Sequence, residues 1–200
     1  MGRRKTYERP EIADHAMRLF WARGYHATTT RDLTDAMGVN PYSLYAEFGS
    51  KEGLYQAAIA RYEALVVPTH FGALEAQGAS LEEVRAVLNF FGDVDRLEGS
   101  ELGCLLCNTS VERAPTVELS RASTKRFVDR LTCAFGHALG NARAAGRLVD
   151  DAPVDALARF FPTVLMGIWA LSRAQVDGVV LRATADQALA RLDAVTRAAP

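Results

Sequence analysis

The chain has almost no net charge: 23 Lys and Arg against 24 Asp and Glu leave −1 over 200 residues. Any surface for a polyanion is therefore local, since no overall basic excess steers the molecule toward nucleic acid. Cysteine is scarce. Three of them, an odd number, argue against a disulfide framework and for a reducing compartment. The basic start, MGRRKTYERP, is followed by no apolar stretch, which argues against a signal peptide. The longest apolar run, around residues 160–171, is short for a bilayer span and contains Pro162. A cytosolic protein without a membrane partner is expected. No nucleophile elbow, phosphate-cradling glycine loop or HExxH appears, so neither turnover nor a cofactor is expected. Internal repeats and sustained strand alternation are also missing. What remains is helix.

Between Pro10 and Arg23, Ile12, Ala13, Ala16, Met17, Leu19 and Phe20 recur at helical spacing, with proline in the first turn and Gly24 as a stop. Thr29-Thr30-Arg31-Asp32 is a capping box in which the Thr29 hydroxyl accepts from the Asp32 amide. It opens a short helix with Leu33, Ala36 and Met37 inward and Gly38 at its end. Asn40 as N-cap and Pro41 in the first turn start a third helix of barely two turns, with Leu44 and Phe48 on its buried face. Ser50 caps a longer fourth helix through Leu54, Ala57, Ala58 and Tyr62. After a loop near residues 72–78, Ser80-Leu81-Glu82-Glu83 repeats the capping box. Leu81, Val84, Val87, Leu88, Phe91 and Val94 then keep helical spacing. Further helices are expected over residues 102–112, through Phe127, Val128, Leu131, Ala134, Phe135, Ala138 and Leu139 to a turn near Gly146, and over 154–175 and 181–197. The chain reads as all-α, with about nine helices.

Two short helices on either side of Gly38-Val39-Asn40, braced by a longer one before them, have the helix-turn-helix layout. A two-turn helix is unstable alone. Its neighbours must hold it through Leu44 and Phe48, which frees its outer face for a groove. Tyr42 and Ser43 stand in its first turn and Tyr45 one turn on, and a helix N-terminus offers free amides to phosphate.

The segment TRDLTDAMGVNPYSLYAEFGSKEGLY, preceded by AMRLFWARGYHATT, resembles the N-terminal domain of TetR/AcrR-type transcriptional regulators. Leu19-Phe20, Gly24-Tyr25, Thr28-Thr29, Gly38-Val39, Leu44-Tyr45, Phe48 and Lys51-Glu52 carry the likeness at fixed spacing. It covers about residues 6–66, with the helix-turn-helix at about 29–48, and leaves 67–200 as an effector-binding and dimerisation domain. The resemblance implies a homodimer, most often a repressor, that binds double-stranded, near-palindromic operator DNA and is released by a small effector, here unknown. By position it implies phosphate contacts from Thr28, Thr29, Thr30 and Arg31, and a major-groove face of Asn40, Pro41, Tyr42 and Ser43. Tyr45 and Lys51 would grip phosphates. Tyr42 stands where many members carry a small residue. Tyr45 also reads as scaffold packing. Arg3, Arg4 and Lys5 read either as an arm to the backbone or minor groove or as a solvated tail. Lys51 at a helix start opposes the helix dipole, which favours the phosphate reading.

Beyond residue 66 the resemblance thins. GCLLCNTSVERAP, residues 103–115, resembles one branch of these regulators, in which the following helix lines the effector pocket. Phe90, Phe91, Cys104, Cys107, Phe127, Leu131, Phe161, Leu165 and Trp169 are the candidate lining residues, each with plain core packing as the competing reading. Asn108, Glu112 and Arg130 are either polar fixtures of such a cavity or surface. The spacing of Cys104 and Cys107 puts both on one helix face with Val111, and Cys133 and His137 are four apart. A CxxC without a second matched pair leaves three readings: inert buried thiols, a redox sensor or a metal-sensing regulator. No metal ligand is assigned.

Residues 154–175 are apolar on more than one side, and 181–197 carry a second stripe that ends at Val195. Two such helices need broad cover. A homodimer through Leu157, Val164, Ile168, Leu171, Leu181, Ala185, Leu189 and Leu192 is expected, with Pro162 kinking the first helix.

Overall fold

In the computed structural model, residues 8–93 and 99–197 are described. Arg3, Arg4, Lys5 and Val94 lie outside them. The described residues form α-helices with one isolated bridge, Leu148 to Thr196, and no sheet.

Four helices make the N-terminal half. Helix α1, Arg9–Arg23, opens on a Glu8–Glu11 capping box with Pro10 in its first turn. Helix α2, Thr30–Met37, is capped by Thr29 as the sequence suggests, and ends at Gly38, whose left-handed φ of 65° turns the chain sharply toward the next helix. Helix α3, Pro41–Phe48, starts where the Asn40 side chain accepts from the Ser43 amide. Helix α4, Lys51–Phe71, starts where the Ser50 hydroxyl accepts from Gly53. Leu33 is inward in α2, but Ala36 is exposed and Thr34 takes the second buried place. The correction follows from helical geometry: Thr34 lies beside Leu33 on the side facing α1, and Ala36 is turned past it.

The remaining helices are α5, Leu81–Gly92; α6, Leu105–Glu112; α7, Glu118–Ala144; α8, Val154–Arg173; and α9, Gly178–Asp193. A 3-10 turn, Ser100–Leu102, precedes α6, so that helix starts later than its apolar pattern suggests. Helix α8 packs along α7, and α9 lies across α5 and α8. Among the described residues α8 alone is long and apolar enough to cross a membrane, contrary to the estimate of its run as too short. It is packed against its neighbours through Leu157, Phe161, Leu165 and Trp169.

One core runs from Ile12 in α1 to Val195 beyond α9. The expected division at residues 66 and 67 falls inside α4, which carries this core without interruption from the helix-turn-helix into the C-terminal half.

Candidate nucleic-acid interface and effector cavity

Helix α3 is seated by Leu44 and Phe48, both buried. Its first turn projects outward: Pro41 is exposed, and Tyr42, at 85% exposure, is the most exposed large apolar side chain described. Ser43 is half-buried, and Asn40 is exposed with its side-chain oxygen committed to the cap. The Tyr45 hydroxyl lies 2.6 Å from the Thr30 hydroxyl, which ties the starts of α2 and α3 together at the surface. Thr29 is exposed and bonded to Asp32, while Arg31 is exposed and only loosely paired with Asp35 at 3.5 Å. Thr28 does not belong with them. It is fully buried, its hydroxyl donates to the Gly24 carbonyl at 2.6 Å, and its amide donates to Tyr25, so no donor is left for phosphate.

Lys51 lies with its ammonium 4.2 Å from the centroid of the Tyr25 ring. Burial, and then the adjacent Arg113 guanidinium, lower its pKa from the ordinary lysine value. The carboxylates of Glu112 and Asp32 act on it in the opposite direction.

The two halves are joined by α6 and its C-terminal end. Glu112, read as cavity fixture or surface, instead accepts the Tyr25 and His26 amides at 3.0 and 2.8 Å, closing the turn after α1. Gly24 makes room for that carboxylate, because a Cβ there would stand 3.0 Å from Glu112 Oε2. Arg113, only 4% exposed in its side chain, pairs with Glu52 of α4. Its guanidinium carbon lies 3.6 Å from the Tyr25 ring centroid and 4.7 Å from that of Tyr55. Its Nε and Nη1 find no hydrogen-bond acceptor, and the ring faces partly stand in for one. The Tyr55 hydroxyl meets Thr109 of α6 at 2.8 Å, and burial pushes its pKa up to about 12. No motif in the sequence singles out Arg113. Its signal, in retrospect, is an arginine directly after a helix that lies among core residues.

A partly open cavity of about 120 Å³ lies where α1 and the end of α4 meet the C-terminal helices. Five of the expected residues line it: Phe90, Phe91, Cys104, Phe127 and Trp169. Leu131, Phe161 and Leu165 do not: they are fully buried core, one or two turns along α7 and α8 from Phe127 and Trp169. Cys107 and Asn108 face a shallow groove beside Gly24 and Arg173, and Arg130 is held to Glu75 by a two-pronged ion pair. Lining residues that sequence reasoning missed are Trp21 of α1, the end of α4 (Tyr62, Val66, Val67, His70 and Phe71), and Gly99, Ser100, Gly103 and Ser172. Extending the helical pattern of α4 past Tyr62 would have reached Val66, Val67 and Phe71. Trp21 had no such signal. Its indole N–H donates to the Gly103 carbonyl at 3.1 Å, and its own carbonyl accepts from Arg173 at 2.9 Å.

The thiols differ from expectation in geometry. Cys104 is the N-cap of α6 rather than part of it, and Val111 is exposed while both cysteines are buried, so the three share no face. Burial raises the pKa of Cys104 and takes that of Cys107 up to about 12. Cys107 Sγ donates to the Met166 carbonyl at 3.4 Å. Cys133 is exposed, and no group of three or more His, Cys, Asp or Glu suited to a metal exists among the described residues.

Most residues expected at a subunit interface are inside the chain. Leu157, Ile168, Leu181, Ala185 and Leu192 are buried; Ile168, Leu181 and Ala185 pack on one another between α8 and α9. They cannot also meet a partner. Val164 and Leu189 are half-buried, and only Leu171 of that set is exposed. The outward face is made of other residues: Ala156, Phe160, Thr163, Gly167 and Ala170 on α8, and Val180, Ala183, Gln187 and Ala190 on α9. These residues keep helical spacing and are small or uncharged, with Arg159 and Arg191 exposed beside them.

A helix-turn-helix with an outward-turned recognition helix, joined through α6 to a helical half holding an aromatic cavity, defines a DNA-binding regulatory protein. Residues 12–58 match the model of the family described as bacterial regulatory proteins, tetR family. Over 179 residues the chain is 30% identical to the HTH-type transcriptional repressor ComR of Escherichia coli, covering 84% of this chain and 80% of that protein. It is 28% identical over 199 residues to YezE of Bacillus subtilis, an HTH-type transcriptional regulator, covering 96% of this chain and 100% of YezE. Among solved structures, a cysteine mutant of the TetR family regulator CifR complexed with 26-base-pair operator DNA aligns with a TM-score of 0.80. The identity there is 31%, over 94% of this chain and 98% of that one. The chain belongs to the TetR family of bacterial transcriptional regulators.

Proposed function

We propose that this protein is a cytoplasmic repressor that binds a near-palindromic operator as a homodimer and lets go when a small effector fills the C-terminal cavity. The outward first turn of α3 carries this reading. Tyr42 is a large ring held out in solvent on a helix anchored by Leu44 and Phe48. Such a residue costs solubility unless it meets something, and a major groove has the size and the thymine methyl groups to receive it. Asn40, Pro41 and Ser43 flank it, with Thr29, Thr30, Arg31, Tyr45 and Lys51 as the surrounding phosphate contacts. In this reading residues 6–66 bind DNA, residues 67–200 bind the partner and, together with Trp21, Tyr62 and Val66, the effector, and no turnover occurs. The repressors among the relatives support the sign of regulation.

The subunits would meet through the outer face of α8 and α9, whose middle is made of small residues. An effector can shift the spacing of two recognition helices only by its different affinity for the two conformers. Footprinting on the protein's own upstream DNA tests the whole reading, and protection of a two-fold symmetric site is expected. Salt-insensitive binding, or no protection at all, would sink it. The redox- and metal-sensing alternatives have less support, since buried thiols of raised pKa hold little thiolate.

A further inference from the structure

The cavity wall has a single chemical character. None of the described residues that line it is Asp, Glu, Lys or Arg. Phe91 meets Trp169 at 5.1 Å and 85°, and Phe71 meets Trp169 at 6.1 Å and 88°, so the rings are already braced edge to face around the space. The space of about 120 Å³ is close to the ~150 Å³ apolar cavity that accepts one benzene. Two polar groups matter. Ser172 donates to the Ser100 carbonyl at 2.7 Å, which leaves it as an acceptor only. His70 lies against Phe90 and Phe91, at 5.2 and 5.6 Å, and has no hydrogen-bond partner among the described residues.

We propose that the ligand of this cavity is an uncharged molecule of one aromatic ring with one small polar substituent, such as a phenolic hydroxyl or an aldehyde, hydrogen-bonded by His70. The proposal rests on reading the cavity as the effector site. An anionic ligand would lose its hydration with no cation among the described wall residues to replace it. A cationic one would find ring faces but no carboxylate, and the rings already spend those contacts on each other. Burial lowers the His70 pKa, so the imidazole is neutral near pH 7 and presents one donor and one acceptor, as a hydroxyl or carbonyl needs.

Fluorine NMR line broadening with the full-length protein tests this, using 4-fluorophenol, 4-fluorobenzoate, 4-fluorophenyltrimethylammonium and fluorobenzene as probes. Binding of 4-fluorophenol at least about ten-fold tighter than either charged probe is expected. Equal or tighter binding of a charged probe would overturn the proposal. His70→Leu should weaken 4-fluorophenol by about ten-fold and leave fluorobenzene unchanged, as the loss of one hydrogen bond predicts. Equal weakening of both would remove His70 from the account. Val66→Phe, which fills the cavity, should abolish binding of both. A folded Val66→Phe that binds 4-fluorophenol like the wild type would place the ligand elsewhere. A gel shift with 4-fluorophenol separates this inference from the functional one: probe binding without DNA release refutes the effector role and leaves the ligand class standing. DNA binding with no neutral probe bound refutes the ligand class alone.

Discussion

The recognition helix and the cavity wall draw on the same side chains for opposite purposes. Helix α3 places Tyr42 in water, on two turns held from behind by Leu44 and Phe48. The cavity turns Phe71, Phe91, Phe127 and Trp169 toward one another and keeps a gap between them. An exposed ring on a rigid short helix is suited to read a surface brought to it, and braced rings around a gap are suited to enclose a small molecule. Between the two stand Trp21, Glu112 and Arg113, which belong to one half and touch the other.

The largest expected effect separates both sites from the surface that would pair them. Gly167→Arg puts a long cation in the small-residue outer face of α8, where a Cβ meets nothing within 4 Å inside the chain. The monomer should fold normally, sediment as a monomer at micromolar concentration, and bind operator at least ~100-fold more weakly, because the second half-site no longer counts as intramolecular. A dimeric Gly167→Arg at that concentration would place the interface elsewhere.

Arg113→Ala attacks the joint itself. It takes the guanidinium from Glu52, which keeps the Gln56 amide, and from the rings of Tyr55 and Tyr25, of which Tyr25 keeps Lys51. A loss of about 2–4 kcal/mol in urea unfolding is expected, as for removal of one partner from a buried pair, reduced because Glu52 keeps some solvent. Arg113→Lys should recover less than half, since an ammonium cannot lie flat on the rings. If Arg113→Ala cost under ~0.5 kcal/mol, the joint would hold no more than a surface ion pair.

The comparison also explains what was legible. The helix-turn-helix signals lie within about twenty consecutive residues: the Thr29 cap, Gly38, Asn40-Pro41 and the Leu44–Phe48 pair are local chemistry, and each is found where the sequence puts it. The cavity draws its wall from Trp21 to Ser172, and no local pattern brings those together. Apolar stripes mark burial without saying against what. That is why Leu157, Ile168, Leu181, Ala185 and Leu192 looked available to a partner and are instead packed in their own chain. The outward face built from Ala156, Gly167, Ala170, Ala183 and Ala190 escaped notice because small residues make no strong stripe. Thr28 was misplaced for a similar reason, since a motif position does not reveal a hydroxyl turned back to Gly24.

Tyr42→Ala should change which operator bases are preferred, by about 1–3 kcal/mol of discrimination at one position, and leave unfolding unchanged within ~0.5 kcal/mol. Lys51→Met should instead weaken all sequences alike and lower the slope of log affinity against log salt by about 1. Binding assays across an operator library and a salt series distinguish the two. A Tyr42→Ala protein that loses affinity equally for operator and random DNA would strip Tyr42 of its reading role.

Trp21→Phe keeps a ring in the cavity wall and removes the N–H bonded to Gly103. Ligand affinity should stay within about two-fold, while the change in operator affinity on ligand binding shrinks by ~1 kcal/mol, the net worth of one hydrogen bond. Titration with and without operator measures both. An unchanged linkage would route the signal through α6 and Arg113 alone.

The smallest effect belongs to an ion pair remote from both sites, Glu82 of α5 with Arg147 after α7. The Arg147 guanidinium and the helix-start backbone hold the Glu82 carboxyl down to about 2 from its ordinary 4.5. A carboxylate whose folded pKa lies below its unfolded one stabilises the fold in full above about pH 4.5. That contribution is lost as pH falls from 4.5 toward 2. Both side chains are largely in solvent, 61% for Glu82 and 41% for Arg147, so water and salt screen the pair and its worth at pH 7 is under ~1 kcal/mol. Glu82→Gln should therefore unfold slightly earlier in urea at pH 7, converge on the wild type only as the pH falls to about 2 and below, and lose the difference in high salt. A gap between the two that widened on acidification would mean that Glu82 acts through something other than its charge.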